Sequence, residues 1–269
     1  MSQREQPVGV FDSGLGGISV LREIHRLLPA EDLIYVADSG HAPYGAKTPE
    51  YIRTRSKQMA DFLLEQGVKV LVVACNTATV HAVDYLRGML PIPVVGIEPA
   101  VKPAARLTQT GVIGVLATQQ TVNSPRLQHL IRDHASQVTV MAQACPGLVE
   151  HVEAGDFSSE AVRQLLKHYT LPLLEAGVDT LVLGCTHYPF LSEAIHEVTH
   201  GRMTVLETST PVTHQLIRVL DQQDLRRVET GQGSVRFFSS KSEDAQHLIS
   251  IQTLWQHRVE LGLLPTRYR

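Results

Sequence analysis

Two segments of this chain repeat each other, and that repeat restricts the architecture more than any other feature. Residues 65–77 and 175–187 align without a gap at one offset, 185 − 75 = 110, and share Glu, Gly, Val, Leu, Val and Cys at equivalent positions. Cys75 and Cys185 are thereby equivalent. A shorter echo lies upstream, where residues 8–13 match residues 113–118 at an offset of 114 − 9 = 105, so the copies differ by a small insertion. A chain that has duplicated a half carrying one thiol can face two thiols across a cleft. Facing thiols suit a reaction that takes a proton from one side of a carbon and returns it on the other.

Short apolar runs recur at 8–11, 33–36, 70–74, 94–97, 112–116, 138–141, 181–183 and 203–206. Most are continuous rather than alternating, as in strands buried on both faces of a parallel sheet. Helical patterns separate them. Ile18, Leu21, Ile24 and Leu28 have the spacing of an amphipathic helix that Pro29 stops. Residues 52–66 repeat that pattern before Gly67, and residues 165–176 before Gly177, with Pro172 kinking the latter helix or marking its start. This alternation predicts an α/β fold of two pseudo-symmetric, parallel-sheet domains with the active site between them. Residues 1–97 with 211–269 form the expected first domain and residues 98–210 the second. The chain crosses between them near Gly96-Ile97-Glu98-Pro99 and again between Glu207 and Pro211. Helical patterns at 212–220 and 254–263 are expected to pack back on the first domain.

A net charge of −3 offers no electrostatic attraction for nucleic acid or an anionic membrane. The first residues lack the apolar core of a secretory signal, and no apolar run reaches the ~18 residues of a membrane span. A soluble, cytoplasmic chain is expected. Its three cysteines form no CxxC and no Cys/His ligand spacing, which argues against zinc and against a disulfide framework. Free thiols are the default.

Ligands of parallel sheets bind beyond the carboxyl ends of the strands. Cys75 and Cys185 both fall there, each before an expected helix whose N-terminus lowers a thiol's pKa toward neutrality. Asn76, Thr77, Thr186 and His187 follow, offering amide, hydroxyl and imidazole donors for a carboxylate substrate. After the first strand, Asp12-Ser13-Gly14-Leu15-Gly16-Gly17 matches neither GxGxxG nor a Walker pattern. Asp12 would orient a substrate ammonium or Cys75, or simply cap the helix. Asp38-Ser39 ends the next strand, and the turn Pro43-Tyr44-Gly45 would cover the cleft. His187 stands two residues from Cys185 and would move its proton or hold it. Glu153 or Glu150 would partner His187. Cys145, without a counterpart in the other half, reads as structural, and His25, His81, His129, His168 and His214 as solvated.

Together, Asp12 to Gly17, Pro43-Tyr44-Gly45, Ala74-Cys75-Asn76-Thr77-Ala78, Gly96-Ile97-Glu98-Pro99-Ala100 and Gly184-Cys185-Thr186-His187-Tyr188-Pro189 resemble the bacterial glutamate racemases over residues 8–211. The resemblance implies two pseudo-symmetric α/β domains, usually in a homodimer, and cofactor-free interconversion of L- and D-glutamate for peptidoglycan synthesis. It makes Cys75 and Cys185 the acid/base thiols, supported by Asp12, Glu153 and His187. It assigns substrate binding to Asp12, Ser13, Pro43, Tyr44, Gly45, Asn76, Thr77, Thr121 and Thr186, with Thr118 the alternative to Thr121. Thr-His-Tyr-Pro after Cys185 is similar to glutamate rather than aspartate racemases, whereas Glu207-Thr208-Ser209 departs from the Asp-Ser often found at the second crossing. The short N-terminus lacks the extension that accompanies control by a cell-wall precursor in some relatives, so that control is not expected. No metal is expected. No lysine sits at a strand-end motif where pyridoxal would bind. The rivals are an aspartate racemase, a cofactor-free decarboxylase or isomerase of small diacids, and a module that only captures an amino acid. DNA gyrase, which some relatives inhibit, has no support in the sequence as a partner.

Overall fold

The computed structural model describes residues 2–228, 231–241 and 244–269. The apolar runs of the first copy form β1 (Val8–Asp12), β2 (Leu33–Ala37), β3 (Val70–Val73) and β4 (Val94–Gly96), nearly all of it buried. Those of the second form β5 (Val112–Ala117), β6 (Thr139–Ala144), β7 (Thr180–Leu183) and β8 (Thr204–Leu206). Two further strands, β9 (Val235–Ser239) and β10 (Leu261–Leu263), were not foreseen.

The strands make two sheets, one ordered β10-β9-β2-β1-β3-β4 and one ordered β6-β5-β7-β8, and every pairing is parallel. The order β2-β1-β3-β4 reappears as β6-β5-β7-β8, as a duplication requires. Register repeats as well. Val8 pairs with Val70 and Ile113 with Thr180, which are the same positions displaced by 113 − 8 = 105 and 180 − 70 = 110.

Alternate side chains of a strand point to opposite faces, so each sheet needs cover on both. On one face of the larger sheet, Val10, Tyr35 and Val72 meet α1 (Ile18–Leu27), α10 (Ser209–Gln222) and α11 (Ala245–Trp255). On the other, Phe11, Ile34 and Leu71 meet α2 (Pro49–Glu65) and α3 (Asn76–Met89). The smaller sheet lies between α4 (Val101–Leu107) with α6 (Pro125–His134) on one side and α7 (Leu148–Glu153), α8 (Glu160–Glu175) and α9 (Ser192–Thr199) on the other. A single turn, α5 (Gln119–Val122), follows β5. Burying each Leu or Ile of these faces contributes about 1.5–3 kcal/mol.

Local chemistry sets the helix limits. Thr48 caps α2 through a bond from Tyr51 N, with Pro49 in the first turn. Ser159 caps α8, so that helix starts at Glu160 and Pro172 lies inside it rather than at its start. The helix foreseen over 254–263 does not form. Instead α11 ends at Trp255, Gln256 takes a left-handed φ of 65°, and residues 261–263 join the sheet as β10. Among the described residues no helix is long and apolar enough to cross a membrane.

Candidate active site

Because all strands are parallel, their carboxyl ends collect on one edge of each sheet, and the two edges meet at a small cavity. From the larger sheet come Ser13 after β1, the turn Pro43-Tyr44-Gly45 after β2, and Cys75, Asn76 and Thr77 after β3. From the smaller sheet come Thr118 after β5, Val149 on α7, and Cys185, Thr186 and His187 after β7. Both equivalent thiols therefore line one space. It measures about 10 Å³, room for roughly one water molecule. The larger hollows, about 520 Å³ beside α1 and about 740 Å³ beside β10, are open grooves lined by no cysteine.

Cys75 is the N-cap of α3, and its Sγ accepts from Ala78 N at 3.4 Å and contacts Ser13 Oγ at 3.4 Å. The expected drop in its pKa does not occur. Burial, with the Asp12 carboxylate adding to it, pushes the Cys75 thiol up to about 12. The helix terminus does not offset desolvation of a thiolate that is almost wholly enclosed. Cys185 differs in local structure, since a 3-10 turn at Tyr188–Leu191 stands between it and α9. Its neighbour is His187, whose Nδ1 lies 3.7 Å from Cys185 Sγ.

His187 is 2 % exposed, and its Nε2 lies 2.7 Å from Glu153 Oε1. Burial works against the imidazolium, but Cys185 and Glu153 outweigh it and raise the His187 pKa well above its ordinary value. In that charged form both ring nitrogens donate, one toward Cys185 and one to Glu153. Gly16 N, 3.2 Å from the same Nε2, can donate to it only when the ring is neutral. Glu153 also accepts from Leu15 N and from Ser39 Oγ, so the carboxylate ties both sheets to the histidine. Glu153, not Glu150, is the residue brought to His187.

Asp12 is fully buried behind the cavity wall, accepting from Gly14 N at 2.8 Å and Thr186 Oγ1 at 2.9 Å. Burial raises its pKa, although His187, the Gly14 amide and the Thr186 hydroxyl pull it back. Thr118 lines the cavity, while Thr121 sits behind it, 3.1 Å from Thr118 Oγ1 and 3.5 Å from Thr77 Oγ1. Thr77 and Thr118 bridge the two halves at 2.8 Å. Asn76 is 3 % exposed, and neither end of its amide has a partner among the described residues. A buried, unspent amide in a cavity wall is a ready donor and acceptor for a polar ligand.

The glycines of the Asp12–Gly17 loop permit this crossing of halves. A Cβ on Gly14 would stand 2.0 Å from Glu153 Oε1, and one on Gly16 would stand 2.3 Å from His187 Nδ1. Neither approach was read from the sequence, because the partners lie over 130 residues away. Of the other expectations, Cys145 is buried outside the cavity, its Sγ 3.4 Å from Gln143 O. His129, His168 and His214 are exposed, whereas His25 and His81 are half-buried. Among the described residues no cluster of three His, Cys, Asp or Glu is arranged to hold a metal.

The geometry has relatives. Residues 8–217 match the model of the Asp/Glu/Hydantoin racemase family. A glutamate racemase of Herpetosiphon aurantiacus is 50% identical over 249 residues, 93% of this chain and 97% of that one. The glutamate racemase isoform RacE1 of Bacillus anthracis superimposes with a TM-score of 0.87 at 30% identity, covering 98% of each chain. The Escherichia coli glutamate racemase, in complex with L-glutamate and the activator UDP-MurNAc-ala, superimposes with a TM-score of 0.84 at 30% identity, covering 96% of this chain and 98% of that one. A duplicated α/β chain with paired strand-end thiols, this close in sequence and shape to those enzymes, belongs to the Asp/Glu/hydantoin racemase family, among its glutamate racemases.

Proposed function

We propose that this protein interconverts L- and D-glutamate without a cofactor by moving a proton between two thiols. The observation that carries this reading is that Cys75 and Cys185, equivalent in the repeat, line one enclosed cavity from opposite sheets. In each direction one cysteine, as thiolate, takes the Cα proton while the opposite thiol delivers its own proton to the other face. One thiolate is consumed and one is formed, so charge is conserved and the site ends in the complementary protonation state.

The surroundings suit those roles. Cys75, with its pKa near 12, is held as the thiol at neutral pH, and the same desolvation makes its thiolate a strong base once formed. His187 stands beside Cys185 as a proton donor, and Glu153 on its other nitrogen keeps that imidazole protonated. Asp12 holds Thr186 and the Gly14 amide, while Ser13, Asn76, Thr77, Thr186 and the Pro43-Tyr44-Gly45 turn receive the substrate's carboxylate and ammonium groups. Thr121 supports Thr118 from behind. With no electron sink, the developing carbanion depends on hydrogen bonds to its carboxylate and on exclusion of water.

We infer that the domains divide at 97/98 and 210/211: β4 lies in one sheet and β5 in the other, while the second cut falls in the first turn of α10, the rest of which packs with α1. We place the enzyme in the cytoplasm as a homodimer that supplies D-glutamate for peptidoglycan.

The test is incubation with L-glutamate in D₂O, without cofactor, followed by circular dichroism and by NMR of the α-hydrogen. Racemisation with deuterium entering Cα is expected. Each positioned acid or base is worth roughly 10²–10⁴-fold, so Cys75→Ser and Cys185→Ser should each lose at least that much of kcat. Near-normal turnover by either variant excludes the two-thiol scheme.

A further inference from the structure

Beside the cavity runs a buried chain of polar groups that the proton transfer does not use. Tyr44 stands in the cavity wall at 1 % exposure, yet its hydroxyl donates to Asp38 Oδ2 at 2.5 Å. Asp38, fully buried at the end of β2, also accepts from Arg55, with Nη2 2.7 Å from Oδ1 and Nε 3.0 Å from Oδ2. Arg55 is itself buried on α2, and its Nη2 donates onward to Tyr268 O at 2.8 Å. We infer that Asp38 and Arg55 are positioning residues that fix the Tyr44–Gly45 turn at the height glutamate binding requires, a role that rests on the racemase reading above.

With the Tyr44 hydroxyl spent on Asp38, the turn meets a substrate through its backbone. Its place is narrow. A Cβ on Gly45 would come within 2.9 Å of Thr118 Cβ, so the turn abuts the opposite half. Shifted inward it closes the cavity further, and shifted outward it leaves the wall. Both oxygens of Asp38 engage the guanidinium fork, which sets the direction of the oxygen that receives Tyr44. The chain thus refers a substrate-side turn to a strand end, a long helix and the segment after β10. A misplaced turn weakens ground-state and transition-state binding alike, which raises KM more than it lowers kcat.

The experiment measures KM and kcat for both glutamate enantiomers in Tyr44→Phe and Arg55→Lys. The latter keeps the charge but cannot make the forked contact. Lys69→Met is the comparator, because Lys69 and Glu31 form a second buried ion pair, at the amino ends of the strands. Tyr44→Phe and Arg55→Lys should raise KM about tenfold with kcat within about threefold of wild type. Lys69→Met should lower Tm and leave KM unchanged. Unchanged KM in both site-side variants, or an equal rise in Lys69→Met, overturns the positioning role while the racemase reading stands. A wild-type protein that racemises no glutamate overturns both.

Discussion

Burial raises the pKa of Asp12 and of Cys75 for the same reason, since each must lose water to become an anion. For Asp12 this has a consequence for stability. A carboxyl whose folded pKa lies above its unfolded value of about 4 stabilises the fold only at low pH, and that contribution is lost as pH rises through the folded value. At neutral pH folding must either keep a charge in this buried site or take up a proton there, so Asp12 weighs against folding. Asp12→Asn keeps an acceptor for Gly14 N and a polar partner for Thr186, and it removes the buried charge. It should raise Tm at pH 7, narrow that gain as pH falls, and lower kcat by about 10²-fold or more. Calorimetry showing a lower Tm for the variant at pH 7 would contradict this account.

At the scale of elements, the eight strands of the duplicated core were legible because they carry short, mostly continuous apolar runs, six of them largely buried and the marginal β6 and β8 half-buried to exposed. β9 and β10 were not. Only Phe237 and Ser239 of β9 are buried, and β10 is three half-buried residues at a sheet margin, a signal too short to separate from a helical one. Leu254 and Leu261, seven residues apart, imitate a helical stripe that Gln256 interrupts. The site divides similarly. Residues beside the cysteines could be read from the repeat, and Asp38 from its place at a strand end. Arg55 had no signal, because an arginine within a helix looks solvated until the fold buries it. The loop between β1 and α1 is the element where this matters most. Gly16→Ala should push His187 off Cys185 and Glu153 while leaving the core intact, cutting kcat about 10²-fold with little change in Tm. Native kcat in that variant would show that the loop tolerates a side chain there.

For the whole molecule, the cavity is the constraint. About 10 Å³ admits a water but not glutamate, so the two halves must part for substrate to enter. The contacts that must loosen include Thr77 to Thr118 and Gln120 Nε2 to Lys47 O, each a single polar bridge. Thiol chemistry can time that opening, because Cys75 and Cys185 are 4 % and 6 % exposed. Iodoacetamide should inactivate the native enzyme slowly, and saturating glutamate should slow it at least tenfold further. Rapid alkylation indifferent to glutamate would mean that the cleft stands open in solution.

The two thiols share a repeat position but not a setting: Cys75 has Ser13 and the charge of Asp12, and Cys185 has His187 and Glu153. Mirror-image substrates have equal free energies in water, so the Haldane relation requires one kcat/KM for both directions however lopsided the catalyst. Under the two-thiol scheme proposed above, the unlike thiols can therefore differ only in how that common value divides between kcat and KM, and in the isotope effect each direction shows.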